Sequence, residues 1–326
     1  MIIVSREQVE HALSPKKCLE LSRDAFTLVS QGKVKQTLRT VITSGQGSLM
    51  GTMPACIEAG KYEGFGLKAV KVAFDENKQD TSHEGCIVLF NAYDNGDMAF
   101  LDAASVTELR TAAASALATD ILASKRASHL AILGTGIQAR KHALMMSKIR
   151  SIRQISVWGR SQPNAYKFAD WCKENLNVSV TIAATPSEAV SYADIICTVT
   201  ASKEPFLHSV DLPARCHINA IGASAPGFQE LNPDIYTVAD VYFDSREAVW
   251  HSSSCLLQAK QLGLIQANIG IEIGDVITNN AFSAVPLRHS PRTLFKSVGL
   301  AVQDLVFARY VISQEKRLCT DIPNNN

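Results

Sequence analysis

The chain has 326 residues, of which 46% are hydrophobic and 19% are charged, and its formal net charge is +1. This length suits one large or two modest domains, and the balanced composition excludes a disordered or fibrous protein. The near-zero charge provides no attraction to nucleic acid or to an anionic membrane, and no apolar run approaches membrane-spanning length. We therefore expect small-molecule partners, with no nucleic acid and no membrane.

The eight cysteines are scattered, without a C-x-x-C pair or a spacing typical of zinc ligands. Cysteines of this kind are usually reduced core residues, which indicates a reducing compartment. The first seven residues carry charges too early for a secretory signal. The sequence therefore predicts a cytoplasmic protein without a metal site.

The first third of the chain mixes helix and strand patterns. Ser14-Pro15 opens a helical pattern that continues to Phe26. Strand patterns follow at 37–43, 66–73 and 86–91. A turn at 94–97 predicts a hairpin and an antiparallel sheet. A capping box at 105–108 then opens an Ala-rich helix that continues to residue 123.

From residue 130 onward, strand and helix patterns alternate, which is typical of a parallel sheet covered on both faces. The strand patterns lie at 130–133, 155–158, 180–183, 195–199, 217–221 and 241–243. A long final helix is predicted over 293–313. The fold class is therefore α/β: a Rossmann-type doubly wound parallel sheet at 121–299, and an α+β domain formed by 1–120 plus 300–326.

A glycine-rich segment, Gly134-Thr135-Gly136-Ile137-Gln138-Ala139, follows an apolar strand and opens a helix. In this setting a G-x-G-x-x-A string indicates a dinucleotide site. The first glycine makes the tight turn, the second lets the backbone approach a pyrophosphate, and Ala139 keeps the helix close to the strand. The pyrophosphate then lies at the positive end of the helix. The alternative interpretation is an ordinary strand-to-helix turn.

The second strand of this region ends at Gly159-Arg160-Ser161, with no Asp or Glu to bind a ribose 2′-hydroxyl. A guanidinium and a hydroxyl can instead bind a 2′-phosphate. The sequence therefore favours NADPH, with NADH as the alternative. A surface arginine without a ligand is the other interpretation of Arg160.

Three basic residues, Arg39, Lys68 and Arg110, stand within strand or helix-start patterns rather than on polar faces. Taken singly, each is typical of a structural ion pair, because a buried charge needs a partner. Taken together, the three can hold a carboxylate.

Six segments, spread in order over nearly the whole chain, resemble the ornithine cyclodeaminase/mu-crystallin family. They are GTMPA at 51–55, GLK at 66–68, LRTAA at 109–113, GTG at 134–136, HINAIGA at 217–223 and FKSVGLA at 295–301. The resemblance implies a homodimer formed through the N-terminal substrate-binding and dimerisation domain, and a Rossmann domain that binds NAD(P)(H).

The resemblance also implies roles for particular residues. Arg39, Lys68 and Arg110 would hold the substrate carboxylate, with Lys68 closest to the reacting carbon. The residues that would line the nicotinamide side include Thr198, Val199, Thr200, Gly222 and Ser297.

One position separates the chemistries of the family. Ornithine cyclodeaminases have Asp two residues after the glycine of the Ile-Gly motif, whereas this chain has Ser224 there, like the ketimine reductase members. We therefore predict reduction of a cyclic ketimine, with Ser224 among the catalytic residues. The substrate would be Δ1-pyrroline-2-carboxylate, reduced to L-proline, and also Δ1-piperideine-2-carboxylate, reduced to L-pipecolate.

Other interpretations stay open. Ser224 suits a turn on its own account. The activity can instead be that of an ornithine cyclodeaminase or another imine-forming amino-acid dehydrogenase, or the chain can be an NADPH-binding, crystallin-like protein. His83 is interpreted as a solvated loop residue. Asp304 matches an acidic position of the family and is interpreted as a helix-surface charge.

Overall fold

The computed structural model describes residues 1–44, 48–73, 82–92, 96–278 and 290–320. The chain divides into two compact units, Met1–Arg110 with Leu300–Asn326, and Thr111–Gly299. The boundary at 110/111 lies within a single helix, which also contains the predicted boundary at 120/121. Among the helices in the described ranges, none has both the length and the apolar character needed to span a bilayer.

The first unit contains a seven-stranded sheet with the order β1-β7-β6-β5-β4-β2, in which β3 also pairs with β4. The β1–β7 pair is parallel and the other pairs are antiparallel. The strands are β1 (Ile2–Val4), β2 (Val34–Gln36), β3 (Thr40–Thr43), β4 (Leu49–Ile57), β5 (Gly64–Ala73), β6 (Ser82–Leu89) and β7 (Ala99–Asp102). The predicted hairpin corresponds to β6 and β7, and its turn residues 94 and 95 lie outside the described residues.

The helices run along the chain in the order α1 (Arg6–Ala12), α2 (Pro15–Ser30), α3 (Ala103–Leu122), α4 (Ile137–Ile149), α5 (Gln162–Leu176), α6 (Pro186–Val190), α7 (Arg246–Ser252), α8 (Ser254–Gln261), α9 (Ile273–Ile277) and α10 (Ala301–Thr320). Ser14 caps α2 and Pro15 occupies its first position, as the sequence predicts.

The two faces of this sheet have different surroundings. Strand pairing aligns one row of side chains across the face that α10 covers: Val4, Leu101, Ile87, Lys68 and Met53. A side chain at Gly66, on the same face, would meet Leu305 of α10. The opposite face carries a second aligned row that is apolar throughout: Ile3, Phe100, Val88, Leu67 and Pro54. Lys68 is therefore the one charged member of these two rows, and it lies on the covered face.

Strand β4 was not predicted, because Pro54 interrupts its pattern and proline within a run argues against a strand. The structure places Pro54 at a break in the edge of the sheet. β2 pairs with Ala55–Ile57 and β3 pairs with Leu49–Thr52, so residues 53 and 54 lie between them. Arg39 belongs to the segment that connects β2 to β3 across this break.

The second unit is built on an eight-stranded sheet with the order β10-β9-β8-β11-β12-β15-β13-β14, in which every described pair is parallel. Its strands are β8 (His129–Leu133), β9 (Gln154–Trp158), β10 (Ser179–Ile182), β11 (Ile195–Thr198), β12 (Cys216–Ala220), β13 (Asp240–Phe243), β14 (Ile271–Glu272) and β15 (Arg292–Lys296). The predicted α/β class with a doubly wound parallel sheet is confirmed.

The predicted final helix begins too early. Residues 293–296 belong to β15, which inserts between β12 and β13, and α10 starts only at Ala301. The physical reason is that Thr293, Leu294 and Phe295 fit a pleated, buried surface, while Gly299, at φ 85°, ends the extended segment before the helix.

Helix α3 begins two residues before the predicted capping box. The carboxylate of Asp102 accepts the backbone N–H of Ser105 at 2.7 Å, so Asp102 is the N-cap and Ala103 the first helical residue. His83, predicted to lie in a loop, lies in β6, and its side chain is outside the described residues.

Candidate active site

Lys68 is a charged residue in the hydrophobic core of the first unit. Its paired neighbours on the covered face are Met53 and Ile87, and only 3% of its surface is exposed. An ammonium group in such surroundings is strongly destabilised unless it is paired and hydrogen-bonded. The partners of Lys68 therefore determine what this face of the sheet can bind.

The principal partner is Asp304 of α10, which is fully buried. Its Oδ2 lies 2.8 Å from Nζ of Lys68, and its Oδ1 lies 3.2 Å from Nε of Arg110. The interpretation of Asp304 as a helix-surface charge is wrong, because residues 301–308 are all buried and this part of α10 has no polar face. The run of apolar residues on both sides of Asp304 was the sequence signal for its burial.

Arg110 and Thr107 reach this cluster from successive turns of α3. Thr107 Oγ1 accepts from Nζ of Lys68 at 3.2 Å and donates to the carbonyl of Ala103 at 2.7 Å. Only Nε of Arg110 is engaged by Asp304. Within the described parts of the chain, its Nη1 and Nη2 have no hydrogen-bond partner. These two nitrogens form the planar pair of donors that matches a carboxylate.

Arg39 approaches from the edge of the sheet and is half-buried. Its side chain packs against Gly51, where an added Cβ would lie 3.6 Å from its Cδ. Its positive charge is among the causes that lower the pKa of Lys68. The structure thus brings Arg39, Lys68 and Arg110 together, with Asp304 as the carboxylate between the last two.

The pKa of Lys68 reflects this arrangement. Burial lowers it to about 7, and the positive charges of Arg110 and Arg39 act in the same direction, whereas Asp304 raises it. A lysine with a pKa near neutrality can both hold and release a proton under ordinary conditions.

In the second unit, the loop between β8 and α4 has the form of a dinucleotide site. Gly134 has φ +126°, and a Cβ there would lie 2.8 Å from the carbonyl oxygen of Val199, so only glycine fits. Its N–H donates to the carbonyl of Trp158 at 2.8 Å. Gly136 is the N-cap of α4 and provides no side-chain cap, and a Cβ on it would meet no described atom within 4 Å. This open space beside uncapped helix amides fits a pyrophosphate.

The neighbouring residues of this loop have distinct surroundings. Thr135 packs against Gly159 of the next loop, where a Cβ would lie 2.7 Å from its Cγ2. Ile137 is 48% exposed at the start of α4. The carbonyl of Gln138 accepts from Nδ1 of His142 at 2.8 Å. Burial lowers the pKa of His142 to about 4, so this ring is neutral and fixes the first turn without adding charge.

Arg160 and Ser161 follow β9. Arg160 is exposed. Ser161 is the N-cap of α5, and its Oγ accepts the N–H of Asn164 at 3.4 Å. That bond uses the hydroxyl as an acceptor and leaves its proton available to an anion.

A buried glutamate joins the loops that follow β11 and β12. Glu230 accepts from Oγ1 of Thr198 at 2.8 Å, from N and Oγ1 of Thr200 at 2.6 and 2.8 Å, and from N of Ala223 at 3.1 Å. Gly222 lies so close that a Cβ on it would be 2.0 Å from the carbonyl of Thr200. Sequence reasoning missed Glu230, because Thr198 and Thr200, which donate three of its four hydrogen bonds, lie 32 and 30 residues earlier in the chain.

A buried aspartate holds the loop after β15 in a similar way. The Oδ2 of Asp244 accepts from Oγ of Ser297 at 2.7 Å and from the N–H groups of Val298 and Gly299 at 2.8 and 2.7 Å. Ser297, predicted to lie on the nicotinamide side, therefore already donates its hydroxyl proton to a carboxylate.

Lys296 completes this buried network from the end of β15. Its Nζ donates to the carbonyls of Ala220 and Ala223 at 3.3 and 2.6 Å, and burial lowers its pKa. Ser224, which follows Ala223 in the chain, is half-buried, and its N–H donates to the carbonyl of Gly222 at 3.0 Å. Ser224 thus lies in a tight turn that Lys296 holds through the carbonyl of Ala223.

The described ranges contain no group of three His, Cys, Asp or Glu side chains that could hold a metal ion.

Comparison with known proteins identifies the family. The model of the ornithine cyclodeaminase/mu-crystallin family matches residues 1–317. The chain is 34% identical over 316 residues to the ketimine reductase mu-crystallin of Mus musculus, covering 94% of this chain and 95% of that protein. It is 30% identical over 317 residues to the Δ1-pyrroline-2-carboxylate reductase of Bacillus cereus, covering 95% of each.

Solved structures with the same fold support this family assignment. The Δ1-pyrroline-2-carboxylate reductase of Thermococcus litoralis, in complex with NADH and L-proline, superposes with a TM-score of 0.90 at 27% identity and covers 98% of both chains. An archaeal alanine dehydrogenase dimer with bound NAD superposes with a TM-score of 0.86 at 27% identity, covering 99% of this chain and 97% of that one. The chain therefore belongs to the ornithine cyclodeaminase/mu-crystallin family, as its motifs predict.

Proposed function

We propose that the chain reduces a cyclic ketimine with NADPH, converting Δ1-pyrroline-2-carboxylate to L-proline and Δ1-piperideine-2-carboxylate to L-pipecolate. The observation that carries this proposal is the charge of the cluster in the first unit. With Lys68 protonated, Lys68 and Arg110 bring two positive charges, and Asp304 brings one negative charge. The excess of one positive charge in a buried setting favours an anionic ligand.

The carboxylate of the substrate supplies that anion. Nη1 and Nη2 of Arg110 are directed by the bond from Nε to Asp304 and can donate two parallel hydrogen bonds to it. Arg39 adds a second guanidinium at the edge of the sheet. Such a clamp fixes the adjacent C2 carbon of the imine, which is where the hydride is added.

Lys68 handles the proton. When bound, the dinucleotide supplies the hydride that adds to C2, the C=N electron pair moves to nitrogen, and nitrogen gains a proton. Lys68 can supply that proton because it is protonated near neutrality and lies beside the proposed carboxylate clamp. The transfer leaves Lys68 neutral, and the proton that it gives up balances the negative charge of the hydride added to C2.

Ser224 favours reduction over cyclodeamination. The aspartate that cyclodeaminases have here would serve an amine nucleophile, and a serine hydroxyl in a tight turn is a far weaker base. We propose that Ser224 serves the reaction as a neutral group near the ring. A protein that only binds NADPH would not need a carboxylate clamp, so the cluster also favours an enzyme.

NADPH is proposed over NADH on the basis of the β9 loop. The loop Gly159-Arg160-Ser161 follows β9 and carries an exposed guanidinium and a hydroxyl that still has its proton to donate, and both groups suit a 2′-phosphate. The pyrophosphate would lie on the amides of Gly136, Ile137 and Gln138. The loops tied by Glu230 and Asp244 would receive the nicotinamide. NADH stays the alternative, since related structures hold NADH or NAD.

A homodimer is proposed through the uncovered face of the first unit's sheet. The row that includes Ile3 and Phe100 is apolar across five strands, and Ile3 and Phe65 are 72% and 64% exposed in the single chain. An exposed apolar row of this kind indicates a protein interface. A second copy is the proposed occupant, because the related archaeal alanine dehydrogenase is a dimer.

We also propose a cytoplasmic location. The seven described cysteines are free thiols, and five of them are buried. Unpaired thiols in such number are typical of proteins from a reducing compartment.

The first prediction concerns the substrate. We expect NADPH oxidation, followed by absorbance, with Δ1-pyrroline-2-carboxylate and with Δ1-piperideine-2-carboxylate, and none with pyruvate plus ammonia. No turnover of the imines, together with proline and ammonia formed from ornithine and NAD, would show a cyclodeaminase instead. Bound NADPH that no substrate consumes would show a binding protein.

The second prediction concerns the carboxylate clamp. Arg110→Ala should reduce kcat/KM for the imine by about 100-fold or more, because losing a buried charged pair costs about 2–5 kcal/mol. Arg110→Lys should also be impaired, since it lacks the paired donors. NADPH binding, measured by fluorescence, should be unchanged in both. Arg6→Ala, which removes the ion pair with Glu108 on the same helix, is the matched control. Full activity of Arg110→Ala would rule out the clamp.

The third prediction concerns cofactor choice. Arg160→Ala should raise KM for NADPH about tenfold or more, because a charged hydrogen bond contributes about 1.5–3 kcal/mol. KM for NADH should stay nearly constant. Arg153→Ala, an exposed arginine just before β9, is the control. Equal effects on both cofactors would remove Arg160 from the 2′-phosphate site.

The fourth prediction concerns assembly. The wild-type protein should have the mass of a dimer by light scattering, and Phe65→Glu should shift it toward the monomer by placing a charge on the apolar face. Val210→Glu, which changes an 88% exposed residue of the other unit, should stay dimeric. A dimer that tolerates Phe65→Glu at all concentrations would place the interface elsewhere.

A further inference from the structure

We propose that Asp304 is a positioning residue of this site: its carboxylate orients Arg110 toward the substrate and keeps Lys68 protonated as the proton donor. This inference rests on the proposed ketimine reduction. Asp304 binds the two cations that are proposed to contact the substrate. It therefore acts through them rather than on the reacting atoms.

The two oxygens of Asp304 have different partners. Oδ1 lies 3.2 Å from Nε of Arg110, and Oδ2 lies 2.8 Å from Nζ of Lys68. Engagement through Nε fixes the plane of the guanidinium and leaves its end-on pair of N–H groups, one from each Nη, for another ligand. One fully buried carboxylate thus determines the orientation of cations from two different elements, α3 and β5.

A purely structural ion pair would be complete with one cation. Here one carboxylate serves two cations, so Lys68 and Arg110 together carry one positive charge more than Asp304 balances. An isolated buried pair is weak support for folding, and replacing such groups with apolar residues is often neutral or stabilising. The excess of positive charge is better explained by a ligand than by stability.

Three charged side chains from three different segments act on the pKa of Lys68. Asp304 of α10 favours its protonated form, whereas Arg110 of α3 and Arg39 of the 37–39 segment oppose it. Thr107 of α3 is a neutral acceptor, and the strand neighbours Met53 and Ile87 are apolar. Asp304 is therefore the single carboxylate among the described groups that act on Lys68.

The protonation state of Lys68 determines the pH dependence of kcat/KM. If protonated Lys68 is the acid, kcat/KM falls as the pH rises through its pKa, which is about 7 in the free protein. Removing the charge of Asp304 removes the main influence that raises this pKa. In Asp304→Asn the falling limb must therefore move to lower pH. Protonation of the imine itself is common to both proteins and cancels in the comparison.

The test compares pH profiles of kcat/KM for wild type, Asp304→Asn and Glu108→Gln. We expect the falling limb of Asp304→Asn to move by at least about one pH unit, which is at least about a tenfold loss on the alkaline side, with partial recovery at low pH. Glu108→Gln, which removes a carboxylate of α3 that pairs with Arg6, should keep the wild-type profile. KM for NADPH should be the same in all three.

The outcomes separate the two proposals. Wild-type protein that does not reduce imines contradicts the proposed function. Active wild type with an Asp304→Asn profile that is lowered equally at all pH values overturns the positioning role. If Asp304→Asn does not fold, Asp304→Glu is measured, because it keeps the charge. It should retain the wild-type limb but lose at least about tenfold in kcat, because the longer side chain displaces both oxygens. Unchanged kcat in Asp304→Glu would also overturn the role.

Discussion

The candidate site in the first unit depends on the burial of two cations against one carboxylate. Lys68 projects from a sheet face that is otherwise apolar, and Arg110 lies on a helix rich in alanine, so neither can be solvated by water. Asp304 pairs with both cations and so offsets the free-energy cost of burying them. One positive charge remains unbalanced between these three residues, and we propose that the carboxylate of an imino acid balances it.

The second unit uses buried carboxylates for another purpose. Glu230 accepts hydrogen bonds from the ends of β11 and β12, and Asp244 accepts those of the loop after β15. Loops at the carboxyl ends of parallel strands carry unpaired backbone N–H groups, and these acidic side chains satisfy them. The loops that would hold the nicotinamide are thereby fixed in advance, which lowers the cost of ordering them when the cofactor binds.

The sequence allowed prediction of features with a local signature. Gly134 and Gly136 are recognisable because their turn requires glycine, and Lys68 because a cation interrupts a strand pattern. Long-range features were not predictable in this way. Glu230 meets its partners only through the sheet, and β15 is recognisable as a strand only where it inserts between β12 and β13. Asp304 had a signal, the apolar run around it, that an interpretation as a surface charge overlooked.

We propose that this site transfers hydride to C2 of a cyclic imino acid. The most direct measurement uses NADPH with deuterium on the transferring face of nicotinamide C4 and Δ1-pyrroline-2-carboxylate, with the product examined by NMR and chiral chromatography. We expect L-proline with one deuterium at C2, because a clamped carboxylate presents one face of the imine. Proline without deuterium at C2, or an equal mixture of both enantiomers, would contradict it.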